Sequence, residues 1–256
     1  MDIGDPQSAE DYATLLSDCT PFIQGNYGDG EWSCMLGIVG ENSQGGVYRA
    51  DLGAALKQTI VEPRFTMWGY SPGRRLELRV QRWLRAHGVN VPRILPHRLY
   101  DPERGSEAHT VAWVHKEILS AANVRGRLGG VLAAIARRRA LLIGPEHLAD
   151  RMPVPIAGHV ITPPRNAWLS IDKLEADSRA AIAALAPDLV MVSCGMAAKP
   201  LMWRLAPDLP LGASMLDTGA IWDPYAGVLS RSGYRRPECP QKMKHNVAEM
   251  RRLLCA

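Results

Sequence analysis

The sequence predicts an α/β protein with a Rossmann-like, mostly parallel sheet flanked by helices, in a single domain over residues 1–256. Three observations predict it. Short apolar runs that suit buried strands alternate with longer segments of helical periodicity. DLVMVSCG, MAAKPLMWRLA and GASMLDTG read as one strand-helix-strand unit, and two strands joined through a helix run parallel. Finally, 256 residues with 46% hydrophobic content can bury a full core without disulfide or metal staples. No internal repeat or low-complexity linker divides the chain.

The elements follow in order. AEDYATLLSDC carries Tyr12, Leu15 and Leu16 at helical spacing, and PFIQGNY is a short strand bounded by Pro21 and Gly28. A helix from near Gly30 places Trp32, Met35, Leu36 and Val39 on one side, so GNYGDGEW spans a strand-to-helix junction. DLGAALKQTIV is a helix and FTMWGY a strand. GRRLELRVQRWLRAHG is an amphipathic helix with Leu76, Val80, Trp83 and Leu84 inward and Arg79, Arg82 and Arg85 free to line its exposed face. Residues 109–122 and 127–138 read as helices, ALLIG and VPIAGHVI as strands, SIDKLEADSRAAIAALA as a helix, and 240–255 as a basic C-terminal helix. ITPPRN is a loop.

Cys19, Cys34, Cys194, Cys239 and Cys255 are scattered, odd in number and without a CxxC pair, so neither a disulfide framework nor a zinc ribbon is expected. The acidic N-terminus lacks the regions of a signal peptide, and no window offers the roughly 18 apolar residues that span a bilayer. A cytoplasmic protein with no membrane partner is the expectation. Charge is polarised along the chain. Residues 1–51 hold nine acids and one Arg. Residues 64–104 hold nine Arg (64, 74, 75, 79, 82, 85, 93, 98 and 104) against Glu77, Asp101 and Glu103, a net +6. A second basic run lies at 231–252, and only six of the thirty basic residues are Lys. Arg forks onto phosphate oxygens, so the clusters point to a phosphate-bearing or polyanionic partner, with solvated helix faces as the plain alternative.

Parallel sheets take ligands beyond the carboxyl ends of their strands. Here those ends read GPEH, SCGMAAK and LDTGAIWD. Gly195 at a helix start offers backbone N–H groups to phosphate, and Lys199, one turn on, adds charge. Neither GxxxxGK[ST] nor GxGxxG occurs, which disfavours a P-loop kinase and an ordinary dinucleotide dehydrogenase. A nucleophile-elbow hydrolase is not expected either. Asp29 and Glu31, at i and i+2 on an extended or turning backbone, can point to one side, with Gly28 and Gly30 letting the chain bend around a ligand. Such a pair suits Mg²⁺ or Mn²⁺ shared with substrate phosphates, although Asp29 as a simple helix cap fits the spacing equally well.

YGDGEW resembles the signature of the GT-D-type glycosyltransferases, nucleotide-sugar enzymes with a DxE motif. LVMVSCGMAAKPLMWRL is similar to that family's strand, Gly-Pro-Thr-Ala-Lys turn and helix. MLDTGAIWD resembles its closing Asp-x-Gly strand, and LLIGPEHL its intervening strand and Gly-Pro turn. The likeness spans roughly residues 20–225. Asn26 stands where the family often has Ser or Arg, Met196 and Ala197 replace Pro and Thr, Ala220 replaces a common His, and Asp223 falls one residue late. The resemblance implies a GT-D-type fold. It also implies a metal held by Asp29 and Glu31, and a UDP-sugar, UDP-glucose foremost, bound near Gly28, Gly30, Gly144, Gly195, Lys199 and Asp217. Asp29, Glu31, Asp217 and Asp223 are then the catalytic candidates, the last two as carboxylate bases for an acceptor hydroxyl.

The Arg-rich segments favour as acceptor a double-stranded DNA carrying 5-hydroxymethylcytosine or 5-hydroxymethyluracil. Similar GDGEW proteins occur in phages, which implies the host cytoplasm. Arg74, Arg75, Arg79 and Arg82 are the candidate phosphate contacts, and Trp68, Trp83, Trp113 and His115 the candidate wedges or stacking surfaces. A glycoprotein or polysaccharide acceptor is the second expectation. A non-catalytic nucleic-acid-binding α/β module is the reading from a different class, and an S-adenosylmethionine methyltransferase is a distant third.

Overall fold

The computed structural model describes residues 6, 8–42, 45–71, 73–89 and 112–256. Seven strands form one parallel sheet: β1 Ile23–Tyr27, β2 Met67–Tyr70, β3 Ala112–His115, β4 Ala140–Pro145, β5 Gly158–Thr162, β6 Leu189–Val192 and β7 Ser214–Asp217. Their spatial order is β3-β2-β1-β7-β6-β4-β5. The chain steps outward from β1 to β3, crosses to the other half, and returns through β7 to lie beside β1.

Side-chain alternation divides the core into two layers. Tyr27, Trp68, Trp113, Ile143, Val192 and Met215 face α2 (Asp29–Met35), α3 (Ala50–Val61), α4 (Glu77–Ala86), α7 (Ile171–Leu185) and α8 (Ala198–Leu205). Met67, Val114, Leu142, Met191 and Leu216 face α1 (Ala9–Ser17), α5 (Ile118–Arg125), α6 (Gly129–Ala136) and α9 (Cys239–Leu254). Neighbouring residues in each strand go to opposite faces, so both sides of the sheet are covered and its strands read as continuous apolar runs.

The register of β1 with β7 ends at Gln24 opposite Leu216. Beyond it Asn26 bridges the gap: its backbone N–H donates to Asp217 Oδ2 at 3.1 Å and its amide to the Asp217 carbonyl at 2.6 Å. The chain leaving β1 passes to the α2 and α3 face of the sheet and the chain leaving β7 to the α9 face, so this parting of the strands is a topological switch point of an open α/β sheet.

Two expectations need correction. Residues 109–122 are not one helix: 109–111 lie outside the described residues, Ala112–His115 form β3, and α5 starts only at Ile118. The apolar residues of AWVHKEIL fit helical spacing as well as alternation, and pairing with β2 decides in favour of the strand. Val39 is not on the helix after β1, because α2 ends at Met35, Gly37 takes a left-handed φ of 68°, and Val39 is 97% exposed. Of the basic cluster, Arg93, Arg98 and Arg104 lie outside the described residues.

Candidate active site

A cleft of about 1050 Å³ opens over the carboxyl ends of the strands, at the upper end of small-molecule site volumes. It is lined from the turn after β1 (Gly28–Glu31), Glu41, Asn42 and 45–49, the segment after β3 (Lys116–Ala121), His147, 163–168, Ser193–Ala197 with Lys199, Asp217–Ile221 with Asp223, and 230–235.

Beneath it lies a buried triad of charges. Lys199 Nζ is 2.6 Å from Glu31 Oε1, 3.0 Å from Asp217 Oδ2 and 3.2 Å from the Gly195 carbonyl. An ammonium has three donors, and all three are used. Glu31 Oε2 accepts the Gly28 N–H at 2.8 Å, and Asp217 Oδ1 accepts the Gly219 N–H at 3.1 Å. The side chains of Lys199, Asp217 and Glu31 are only 3%, 2% and 12% exposed. Burial opposes ionisation of Glu31, but the Lys199 and Lys116 ammoniums and the hydrogen bonds from Lys199 and Gly28 outweigh it and hold its pKa down at about 2. Burial pushes the Asp217 carboxyl up, with Lys199 opposing and Glu31 reinforcing. Burial works against the charge on Lys199 too, yet Asp217 and Glu31 keep its pKa above the ordinary lysine value.

The acid pair is therefore split. Helix α2 begins at Asp29, within a residue of the expected start, so Asp29 and Glu31 sit in its first turn rather than on an extended backbone. Residues two apart on a helix project about 200° apart. Glu31 folds back to the N-cap and Lys199, whereas Asp29 is exposed at the cleft and makes no hydrogen bond or ion pair with a described residue. Gly28 makes room for the Lys116 ammonium, which a Cβ there would strike, and Gly30 packs under Asn42 and Met196. Both glycines admit protein atoms rather than ligand. Gly195 differs, having a φ of 63° and open space where a Cβ would stand. Gly144 lies within β4 against Ser193 and Leu148 and does not line the cleft.

No family model matches the sequence, and no curated protein matches it. Solved structures do. A glycosyltransferase (DUF1792) from Streptococcus sanguinis aligns with a TM-score of 0.55 at 17% identity, over 86% of this chain and 82% of that one. A chain from the work describing the highly conserved domain of unknown function 1792 as having a distinct glycosyltransferase fold gives 0.52 at 15% identity, over 86% and 80%. The fold is a glycosyltransferase fold of the GT-D type. A selenomethionine-substituted DUF1792 domain agrees, with a TM-score of 0.54 at 14% identity over 86% and 80%.

Within this GT-D fold, the remaining site residues fall into four groups. Asp223 lines the cleft, accepts a hydrogen bond from the Ser230 hydroxyl, and lies 3.4 Å from His147 Nε2. Sequence reading noted GPEH as a strand end but missed His147, because its partner lies 76 residues away. Lys116, Arg165, Arg231 and Arg235 bring positive charge to a lining that also holds Asp29, Glu41 and Glu117, and Lys116 Nζ lies 3.5 Å from Glu117 Oε1; Arg231 and Arg235 belong to the second basic run. By contrast, Arg79 and Arg82 are exposed on α4, Arg74 and Arg75 precede it, and none of the four lines the cleft. His115 is exposed at the end of β3, beside the cleft residue Lys116.

The aromatic wedges need correction. Trp68 is fully buried and Trp113 is 6% exposed, their rings 4.7 Å apart in the core, so neither can stack on a base. Trp83 is half-buried and stacks on His87. From the last residues of β2 the sequence reads Gly69-Tyr-Ser71-Pro-Gly73, a GxSxG spacing of the kind that marks a nucleophile-elbow hydrolase. Ser71 is not among the residues with positive φ, and its N–H donates to the Tyr27 carbonyl, so this is not the strained turn of a nucleophile elbow.

Asp29 is the one carboxylate of the DxE motif free to meet a metal. Mg²⁺ or Mn²⁺ commonly takes one or two carboxylates and completes its shell with phosphate oxygens and water. Among the described residues no group of three or more His, Cys, Asp or Glu side chains could hold a metal ion, so a cation here would rest on Asp29 and take its other ligands from phosphate oxygens and water, with Glu31 engaged by Lys199.

Proposed function

We propose that the protein is a glycosyltransferase that moves a sugar from a UDP-sugar, UDP-glucose foremost, to an acceptor hydroxyl. One observation carries the reading. In a sheet of GT-D type, the switch-point cleft gathers an open carboxylate (Asp29), a bare glycine turn (Gly195) and cationic side chains (Lys116, Arg231, Arg235) around one space large enough for a nucleotide sugar. The Gly195 turn lets a diphosphate approach the backbone closely. Lys116, with its ammonium beside Gly28, and the lip arginines supply charge-assisted donors to it. Mn²⁺ or Mg²⁺, held by Asp29 and the phosphates, would offset the charge that develops on the diphosphate leaving group. The buried triad fixes the β1, β6 and β7 ends relative to one another, so that these groups need no rearrangement during transfer.

For the acceptor we favour duplex DNA carrying hydroxymethylated pyrimidines. Support comes from the exposed arginines of α4 and from Arg231 and Arg235 on the cleft lip, which suit sequence-independent, salt-sensitive phosphate contact. The test is transfer of radiolabelled glucose from UDP-glucose, with Mn²⁺ or Mg²⁺, to matched duplexes containing 5-hydroxymethylcytosine, 5-hydroxymethyluracil or cytosine. Label on a hydroxymethylated duplex alone is the expected result. Label on none, with UDP still released, would reject DNA and leave the transferase reading standing.

A further inference from the structure

The turn after β4 places a histidine where two cavities meet. His147 sits in the 3-10 turn Glu146–Leu148, anchored by the buried Leu148. It lines both the main cleft and a second groove of about 500 Å³ that passes Ile161, Pro163 and Leu174 on the β5 and α7 side. Its Nε2 faces Asp223 Oδ1 at 3.4 Å, and the Ser230 hydroxyl donates to Asp223 Oδ2. The Asp223 side chain is 11% exposed and that of His147 37%. The carboxylate is thus fixed from below while the imidazole reaches the open space. Asp217, the other candidate base at this strand end, is buried, and its oxygens already meet Lys199, Asn26 and Gly219.

We propose that His147 is the general base of the transfer reaction and that Asp223 is its positioning residue; this rests on the transferase reading above. An Asp223 carboxylate accepting from Nε2–H selects the tautomer with its lone pair on Nδ1. A carboxylate that orients the imidazole in this way is the arrangement general-base histidines use, and their hydrogen bonds are often long before substrate binds. The step balances as follows. The acceptor oxygen bonds to the anomeric carbon and its proton passes to His147 Nδ1. The anomeric C–O bond breaks, its electron pair leaving with the nucleoside diphosphate, and the imidazolium then releases its proton to water. A single displacement of this kind inverts the anomeric centre.

The experiment measures UDP release from UDP-glucose, with the hydroxymethylated duplex or water alone as acceptor, for the unsubstituted protein, His147→Ala and Asp223→Asn. For His147→Ala the account expects kcat to fall roughly 10²-fold or more with the donor KM unchanged, and added imidazole to restore part of it. Asp223→Asn should lose less and gain nothing from imidazole. His147 is partly exposed, so its removal leaves the fold intact, which an unchanged Tm checks. Wild-type kcat in His147→Ala would overturn the dyad, as would a loss at unchanged Tm that imidazole does not restore, or a product with retained configuration. No UDP release by the unsubstituted protein would instead overturn the transferase reading itself.

Discussion

Lys199 shows how one side chain ties the site to the fold. Its ammonium is enclosed by two carboxylates and a carbonyl, so Lys199→Met leaves two buried acids without their counter-charge. Removing one partner of a buried ion pair costs about 3–5 kcal/mol, and chemical denaturation of this variant should register a loss of that order. Glu31 adds a pH signature. Its folded pKa of about 2 lies below the ordinary 4.5, so its contribution is complete above pH 4.5 and is lost as pH falls toward 2. By linkage this is on the order of 3 kcal/mol. Asp217 works in the opposite sense, because its raised pKa makes the fold lose stability as pH rises through it. A pH series of denaturation curves should therefore show an acid limb smaller than Glu31 alone would give, and flattened further in Glu31→Gln. An unchanged limb in that variant would remove Glu31 from the account. GDGEW singles out Asp29 and Glu31 as a pair, but the partner that separates them was not legible, since Lys199 arrives from 168 residues away.

At the scale of elements, the loop that carries Asp223 is held by a polar network between helices. The Asn246 amide on α9 donates to the Asn123 carbonyl and side chain on α5, the Asn123 amide donates to the Ile221 carbonyl, and the Tyr225 hydroxyl donates to Asn123. Asn246 Oδ1 also accepts the Leu128 N–H at the start of α6. Because an unsatisfied buried group costs about 1–3 kcal/mol, Asn246→Leu should destabilise by at least that much and should lower UDP release through the displaced Asp223 loop. Normal turnover in a destabilised variant would separate the network from the site. Close approach of α6 to α9 depends on Gly129, where a Cβ would stand 2.6 Å from Glu249 Cγ and 3.2 Å from the Asn246 carbonyl. Overpacking there costs about 1–3 kcal/mol, which the Tm of Gly129→Val should report. The elements themselves were readable where period and punctuation agreed, as in β4, α7 and the β6-α8-β7 unit. They failed at β3, where an apolar pattern compatible with either period was decided by β2, some forty residues earlier in the chain. The C-terminal segment read as a basic helix, and it is one, but its buried Met243, Asn246 and Met250 give it a packing role that its charge does not advertise.

For the whole molecule, the sheet order explains what sequence could and could not reveal. Local patterns identified strands and their chemistry-bearing ends; insertion of β7 between β1 and β6 brings Asp29, Lys199, Asp217 and Asp223 to one cleft, and that insertion has no local signal. Burial likewise decided against Trp68, whose Ala variant should lose about 3–5 kcal/mol with no specific defect in duplex binding. The basic residues divide between the cleft lip and α4. Charge reversal at Arg79 and Arg82 should weaken duplex binding and its salt dependence while leaving UDP release in the absence of duplex unchanged. If the cleft over β1, β6 and β7 turns over a UDP-sugar, UDP release from UDP-glucose with Mn²⁺ must differ between the unsubstituted protein and Asp29→Asn. The expected result is measurable release that falls at least ~10-fold in Asp29→Asn at unchanged Tm, the scale on which lost transition-state charge stabilisation is felt. Equal release by both proteins, or none by the folded unsubstituted protein, would contradict it.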